Sequence, residues 1–211
     1  MVVAILDTGC DKNHPDLKDR ILFGKNTTPH GSESDFSDLS GHGTHAAGTI
    51  AGNGTGIFGV APKARLAIYR VFTPTANPNQ ITASNEHIIA AINECIKWNQ
   101  EHNKEDHIRI INMSLGGPLP DENLHKAIQE AVKNEILVIC AAGNEGDPHS
   151  GGDSGPDKDE YSYPAGYPEV ISVAAVTLDR TFVSFSNTNF DNDLAAPESG
   201  ILSTFPKDKD N

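Results

Sequence analysis

Short apolar runs alternate along the chain with segments of helical periodicity. The runs are VVAIL at residues 2–6, ARLAIYRVF at 64–72, IRIINMSL at 108–115, ILVICAA at 136–142 and EVISVAAV at 169–176. Runs of this length that are rich in β-branched residues predict buried strands.

Between these runs, two segments place their apolar residues on a single helical face. Over residues 84–98 the face comprises Ile88, Ile89, Ile92, Cys95 and Ile96, and over 122–134 it comprises Leu124, Ala127, Ile128, Ala131 and Val132. Spacings of three and four are typical of an amphipathic helix that packs on a core. The alternation of strands and helices predicts an α/β fold: a three-layer sandwich with a mostly parallel central sheet and helices on both faces.

Polar residues follow three of the predicted strands. Asp7-Thr8-Gly9 ends the first run, Ser114-Leu115-Gly116-Gly117 ends the third, and Gly143-Asn144-Glu145-Gly146 follows the fourth. In open parallel sheets, ligands bind at the carboxyl ends of the strands. We therefore expect these three segments to converge on one edge of the sheet.

Composition limits the classes of function. The chain has 211 residues, 37% of them hydrophobic, which is enough for one domain with a core. A formal charge of −13 argues against nucleic acid as a partner. No apolar run approaches the ~20 residues of a membrane helix, and the first run resembles a strand rather than a signal peptide.

The cysteines indicate a compartment. Cys10, Cys95 and Cys140 are odd in number, widely spaced and form no CxxC motif. This pattern predicts free thiols in a cytoplasmic protein rather than a disulfide framework. A secreted protein would require a signal and a pro-segment before Met1.

Two histidines lie three residues apart in 41-GHGTHAAG-48. Helical zinc ligands are usually four apart and accompanied by a glutamate, so zinc is not favoured. His45 is predicted to pack, because AAGTIA continues a helix of small residues. His42 lies at the glycine-flanked first turn, where a carboxylate such as Asp7 would fix its tautomer. Individually, Asp7 also fits a turn former, His42 a packed helix end and Asn144 a turn cap.

Seven segments, in this order, resemble the subtilisin-type serine proteases, and most of all their bacterial intracellular branch. They are AILDTGCDKNHPDL, GHGTHAAGTIAG, GVAP, INMSLGGP, AAGNEG, YPAGYPEVISVAAV and LAAPESGILSTFP, and they extend over essentially the whole chain. The resemblance implies a serine endopeptidase in which Asp7 orients His42, His42 is the general base, and Asn144 donates to the oxyanion.

The resemblance also implies a site for an extended peptide. A substrate would add as a β-strand to the backbone edge formed by Ser114, Leu115 and Gly116. The pocket for the residue before the cleaved bond would comprise Ala141, Gly143, Glu145 and Ser162. Glu145 would then tolerate a basic residue there; the alternative for Glu145 is a solvated loop carboxylate.

Calcium is the cofactor that the resemblance implies. Asp16 and the loop near Asn53 and Thr55 correspond to the family's calcium site. The carbonyls of a weaker cation site correspond to those of Ala165, Tyr167 and Val170. However, 52-GNGTGIFG-59 is about two residues shorter than the usual calcium loop, and the N-terminal ligand segment is absent.

The family's nucleophilic serine lies in a GTSMA motif that follows ILST, and residues 1–211 do not contain this motif. Ser199 and Ser203 lie in a different context, and Glu198 replaces a glycine that is usual in the family. We therefore expect residues 1–211 to form a partial peptidase domain that lacks the N-terminal segment and the C-terminal part carrying the serine.

Three hypotheses remain open from the sequence. The first is an endopeptidase, or a fragment of one, that cleaves extended peptides or proteins. The second is a catalytically inactive module that binds peptides, and the third is an α/β domain with vestigial motifs. We expect neither nucleic acid nor membrane as a partner. An uncovered face of the sheet would lead to a homodimer or require the missing C-terminal part.

Overall fold

A computed structural model of the chain describes residues 1–77, 80–146, 160–198 and 200–207. The strands of this part are β1 (Val2–Asp7), β2 (Ile21–Asn26), β3 (Arg65–Arg70), β4 (Phe72–Pro74), β5 (Ile81–Ala83), β6 (Ile108–Met113), β7 (Leu137–Ala141), β8 (Val170–Val176) and β9 (Leu194–Pro197). The helices are α1 (His42–Ala51), α2 (Asn85–Glu101) and α3 (Glu122–Lys133), together with a short 3-10 helix at Lys104–Asp106. Residues 147–159 of the predicted long loop at 145–164, Ser199 and the tail at 208–211 lie outside the described residues.

Seven strands form one parallel sheet in the order β2-β3-β1-β6-β7-β8-β9. The remaining two, β4 and β5, form a separate antiparallel pair. The first three strands form one half of the sheet, in which β3 lies next to β1 and β2 lies at the edge. Strand β6 then lies on the other side of β1. Such a reversal opens a crevice at the carboxyl ends of the two central strands. The predicted α/β fold class is confirmed.

The two faces of the sheet are covered differently. Helices α2 and α3 pack on one face and enclose a core that includes Leu6, Tyr69, Ile92, Met113 and Ile128. Helix α1 packs on the other face, mainly over β1 and β3. Alternating side chains of the central strands serve both layers, which is why these strands are apolar throughout.

On the α1 side, the half of the sheet formed by β6 to β9 is open among the described residues. The side chains on this half-face are Ile110, Leu137, Ile139, Ile171 and Val173, all half-buried or exposed, and Leu137 is 55% exposed. The edge strand β9 is exposed at every residue. We call this surface, from β6 to β9 on the α1 side, the open face.

Local signals explain where the two long helices begin. The side chain of Ser84 accepts a hydrogen bond from His87 N–H before α2, and that of Asp121 accepts one from Leu124 N–H before α3. Both helices bury the predicted faces with two exceptions, of which the first is Ile89, which is half-buried. The second, Val132, was predicted to be buried and is 36% exposed, because it lies at the border of the face centred on Ile128 and Ala131.

The strands differ from the sequence prediction in two places, whereas the thiols agree with it. The predicted strand at 64–72 is interrupted at Val71, after which β4 leaves the sheet to pair with β5. Strands β2 and β9 were not predicted. The three cysteines are buried and free, as expected, and burial raises the pKa of each thiol well above its ordinary value. No described helix combines the length and the apolar character needed to span a bilayer.

Candidate active site

Asp7 and His42 form the centre of the site. The Nδ1 atom of His42 lies 2.7 Å from Oδ1 of Asp7, which confirms the prediction that they are within hydrogen-bonding reach. Asp7 is 1% exposed, whereas the side chain of His42 is 54% exposed. A carboxylate can only accept, so Nδ1 carries the proton and Nε2 presents its lone pair to the crevice.

Gly43 and Thr8 allow the contact between Asp7 and His42. A Cβ at Gly43 would lie 2.1 Å from the carbonyl oxygen of Gly9, so only glycine lets the first turn of α1 approach the end of β1. The Thr8 backbone N–H donates to Asp7 Oδ1 at 2.7 Å, and the Thr8 hydroxyl accepts from Gly43 N–H at 3.0 Å. The strand end and the helix start are therefore fastened together directly beside the Asp7 carboxylate.

Asp38 stabilises the first turn of α1 by further hydrogen bonds, and the sequence analysis did not identify it. Its carboxylate accepts hydrogen bonds from the hydroxyls of Thr8 and Thr44 and from the backbone N–H groups of Ser40, Gly41 and Thr44. The available signal was an Asp shortly before a helix start, where acidic and polar side chains cap exposed N–H groups.

The electrostatics follow from these contacts. The hydrogen bond that His42 donates to Asp7 raises the pKa of His42; burial opposes this effect, and the charges of Asp7 and Asp38 add to it. Burial alone would raise the pKa of Asp38, but the hydroxyls of Thr44 and Thr8 and the amides of Gly41 and Ser40 lower it below its ordinary value. Asp38 therefore favours its charged form close to the turn that carries the histidine.

The other two polar segments lie on the same edge of the sheet. In the registers of β1 with β6 and of β6 with β7, Ile5 pairs with Asn112 and Asn112 with Ile139. Ser114 and Ala141 thus follow on the same level as Asp7, and Asn144 lies three residues beyond Ala141. The exposed Asn144 side chain has no hydrogen-bond partner among the described residues. This confirms that Asn144 lies at the same edge of the sheet as Asp7.

The edge at residues 114–116 has free backbone groups. No backbone–backbone hydrogen bond involves Ser114, Leu115 or Gly116 within the described part of the chain, whereas the next residue, Gly117, exchanges two with Tyr163. An unpaired, partly exposed backbone of this kind can accept an extended peptide as a further strand.

Ser162 lies between Gly116 and Gly143, and we call the set Ala141, Gly143, Glu145 and Ser162 the slot. A Cβ at Gly116 would lie 2.4 Å from Ser162 Oγ, and a Cβ at Gly143 would lie 2.3 Å from Glu145 Oε2 and 2.8 Å from Ser162 Cβ. Ser162 is 1% exposed, and Ala141 is exposed beside it. The structure therefore brings together all four residues predicted for the pocket.

His45 takes part in a different contact. Its Nε2 atom lies 3.1 Å from the carbonyl oxygen of Ile201, while Ser203 and Thr204 donate to the carbonyls of His45 and Thr44. The ring of Phe205 lies against Gly41, where a Cβ would be 2.2 Å from it. Residues 201–205 thus run along α1 and arrive beside His42.

The arrangement around Asp16 does not fit a calcium ion. Asp16 Oδ1 accepts hydrogen bonds from the backbone N–H groups of Gly56 and Ile57 at 2.9 and 3.2 Å. The side-chain oxygen of Asn53 accepts from Thr55 N–H and Oγ1. Calcium needs six to eight oxygen ligands, whereas this loop turns N–H groups toward the carboxylate. Calcium binding at Asp16 stays a prediction that these contacts do not support.

The second predicted cation site also stays a prediction. Ala165, Tyr167 and Val170 are buried, and the Tyr167 carbonyl accepts a hydrogen bond from Val170 N–H at 3.0 Å. Within the described residues, no three His, Cys, Asp or Glu side chains lie close enough together to hold a metal ion.

Comparison with known proteins gives a consistent result. The profile of the Subtilase family matches residues 1–206. The chain is 48% identical to the major intracellular serine protease of Bacillus subtilis (strain 168), over 98% of this chain and 60% of the relative. It is 47% identical to the intracellular serine protease of Paenibacillus polymyxa, over 98% of this chain and 59% of the relative. Against subtilisin E of Bacillus subtilis (strain 168), identity is 38% over 97% of this chain and 48% of the relative. The chain thus spans roughly half to three-fifths of the length of these relatives.

Proposed function

Because this chain belongs to the subtilase family, we propose that it supplies the acid–base pair, the oxyanion donor and the peptide-binding edge of a serine endopeptidase. The observation that carries the proposal is the 2.7 Å contact between buried Asp7 and half-exposed His42. It leaves a basic nitrogen facing the crevice where the polar strand ends meet.

In the proposed reaction, Asp7 keeps the proton of His42 on Nδ1, and Nε2 takes the proton of a serine hydroxyl. The hydroxyl oxygen then attacks the peptide carbonyl, whose oxygen becomes negative and receives a hydrogen bond from Asn144. His42 returns its proton to the departing amine, and water later cleaves the acyl-enzyme by the same route. Nε2 of His42 has no hydrogen-bond partner among the described residues, which leaves it free for this exchange.

The substrate proposed is an extended peptide. Its backbone would pair with residues 114–116, and the side chain before the cleaved bond would enter the slot that contains Ser162 and Glu145. Two of the relatives are named intracellular proteases. Together with the three free thiols, this supports a cytoplasmic location, where thiols stay reduced.

We propose that the nucleophile is supplied from sequence beyond residue 211. Residues 201–205 reach the turn before His42, so a chain that continues from there emerges beside the general base. A hydroxyl within about 3 Å of Nε2 is what the chemistry requires.

A fluorophosphonate probe, which reacts with activated serines, tests the proposal. Protein made from residues 1–211 alone is expected to stay unlabelled. Protein that also carries the sequence following Asn211 is expected to be labelled there, and His42→Ala should abolish the labelling. Mass spectrometry locates the modified residue.

Two results would contradict the proposal. Labelling of a serine within residues 1–211 would show that the nucleophile has been misplaced. Absence of labelling in the longer protein, combined with binding of a peptide to the 114–116 edge, would favour the inactive peptide-binding module.

A further inference from the structure

The turn that carries Asn144 is held by one buried residue outside the sequence motifs. The turn comprises residues 142–145, and its closing partner is Asn187, which is 0% exposed. Asn187 lies between β8 and β9, 42 residues after Glu145 in the chain. Its contacts with the turn are made by both its backbone and its side chain.

Four hydrogen bonds join Asn187 to this turn. Its backbone N–H donates to the Gly143 carbonyl at 3.1 Å. Its side-chain Nδ2 donates to the Ala142 carbonyl at 3.0 Å and to Glu145 Oε2 at 2.7 Å. Its Oδ1 accepts from the Glu145 backbone N–H at 2.7 Å. The amide group therefore connects both ends of the turn and uses both of its donor hydrogens.

The backbone of the turn makes this clamp necessary. Gly143 has a φ of +114°, and a Cβ there would lie 2.4 Å from Asn187 Nδ2. A glycine in the left-handed region has weak conformational preferences of its own, so external contacts must define the turn. Only an amide can accept from Glu145 N–H and donate to a carbonyl and a carboxylate at the same time.

Two functional groups depend on this turn. Asn144 lies between the two clamped residues, and its side chain is exposed and unpartnered within the described residues. Glu145 has one carboxylate oxygen held by Asn187, next to Ser162 in the slot. A donor to an oxyanion is effective only when it is held in place before charge develops, because reorganisation during the reaction is costly.

We propose that Asn187 is a positioning residue, which acts by fixing the 142–145 turn so that Asn144 faces the oxyanion and Glu145 lines the slot. The inference rests on the proposed endopeptidase function. It predicts that loss of the clamp lowers kcat on a substrate with leucine before the cleaved bond while KM changes little. It also predicts loss of any preference for lysine over leucine at that position.

The test uses the protein as its own gene encodes it and Asn187→Asp, a variant of the same shape. The variant replaces the Nδ2 donor with an oxygen that faces the Ala142 carbonyl and Glu145 Oε2. We expect kcat on the leucine peptide to fall about 10- to 100-fold, less than or similar to the loss caused by removing an oxyanion donor in subtilisin itself. KM should stay within about twofold.

The matched control is Asn99→Asp. Asn99 also clamps a backbone, donating to the Ile108 carbonyl at 2.8 Å and accepting from Ile108 N–H at 2.7 Å, but at the opposite end of the sheet. It should leave kcat and KM unchanged. The double variant Glu145→Gln with Asn187→Asp exchanges donor and acceptor between these two side chains but leaves the Ala142 carbonyl without its donor, so it should recover part of the kcat lost by Asn187→Asp.

Amide hydrogen exchange tests the clamp without turnover. Asn187→Ala should speed exchange at Glu145 N–H, and Asn99→Ala at Ile108 N–H, each without the other. The inference is overturned if Asn187→Asp lowers kcat no more than Asn99→Asp, or if exchange at Glu145 is unchanged. Absence of turnover by the wild-type protein overturns the proposed function and Asn187's part in it, while exchange at Glu145 still reports whether Asn187 fixes the turn.

Discussion

At the scale of single residues, the site depends on how Asp7 controls His42. The sequence predicted this pair from the polar end of the first strand and from the glycine-flanked histidine. It did not predict Asp38 or Asn187, since a polar loop residue has no periodic pattern, and the hydrogen bonds that make it important join distant parts of the chain. Asn187 and Glu145, for example, become neighbours only after β8 has formed.

The pKa of His42 leads to a prediction about pH. Because Asp7 raises this pKa above the ordinary value of 6.5, the base is deprotonated only at higher pH. The peptidase rate should therefore rise with pH through a midpoint above 6.5 and fall as the histidine is protonated below it. Asp7→Asn should lower this midpoint and reduce kcat by on the order of 10⁴-fold, as in comparable triads.

The measurement is a pH profile of kcat/KM for both proteins. The control is Asp11→Asn, which alters a nearby carboxylate that does not contact His42. A midpoint that does not move in Asp7→Asn would show that Asp7 does not govern the base.

At the scale of elements, continuous apolar runs correctly predicted strands, whereas strands whose sequences mix apolar and polar residues were missed. Strand β1 is buried at every position, and β6 and β7 are apolar at most positions although not all of their side chains are buried, so all three lie in recognisable apolar runs. Strand β2 reads ILFGKN and β9 reads LAAP; both are edge strands, and edge strands carry too few buried side chains to show a pattern. The shortened loop after α1 was also visible in the sequence, but its hydrogen bonds to Asp16 were not.

The Asp16 loop gives a prediction about metal and acid. Backbone N–H groups of the loop already donate hydrogen bonds to the Asp16 carboxylate. Because no metal ion is needed to neutralise it, removing metal ions with EDTA should not lower the midpoint of thermal unfolding through this site. Burial raises the pKa of Asp16, but the N–H groups of Gly56 and Ile57 outweigh this effect and hold the pKa below its ordinary value of 3.8. The stabilisation is thus present above that value and is lost as the pH falls through the lower, folded-state pKa.

Asp16→Asn should cost about 2 kcal/mol in the free energy of unfolding at neutral pH. The difference from wild type should shrink in acid. Asp19→Asn, at a nearby exposed carboxylate, is the control. Calcium that raises the unfolding midpoint of the wild type but not of Asp16→Asn would show a cation site there.

At the scale of the whole molecule, α2 and α3 cover the central strands on one side of the sheet, whereas α1 covers mainly β1 and β3 on the other, within the described residues. Apolar side chains on the open face, such as Ile171 and Val173, stay half-exposed within the described part of the chain. Apolar surface of this kind favours association. Protein made from residues 1–211 is therefore expected to elute as a dimer or larger species in size-exclusion chromatography with light scattering.

Substituting both Ile171 and Val173 with lysine should shift this protein toward the monomer without unfolding it. By contrast, Ala174→Lys places a charge in the buried core on the other face, where Ala174 is 4% exposed, and should unfold it. A monomeric wild type, or association unaffected by the two lysines, would contradict the role given to the open face.

The central claim is that Asp7 and His42 catalyse peptide hydrolysis. The most direct measurement is kcat/KM for a peptide substrate, compared between the protein as its gene encodes it and His42→Ala. We expect His42→Ala to lose on the order of 10⁶-fold in kcat, as in subtilisin itself when the histidine is removed, with unchanged peptide affinity and an unchanged fold by circular dichroism. Equal rates in the two proteins, or hydrolysis by neither, would contradict it.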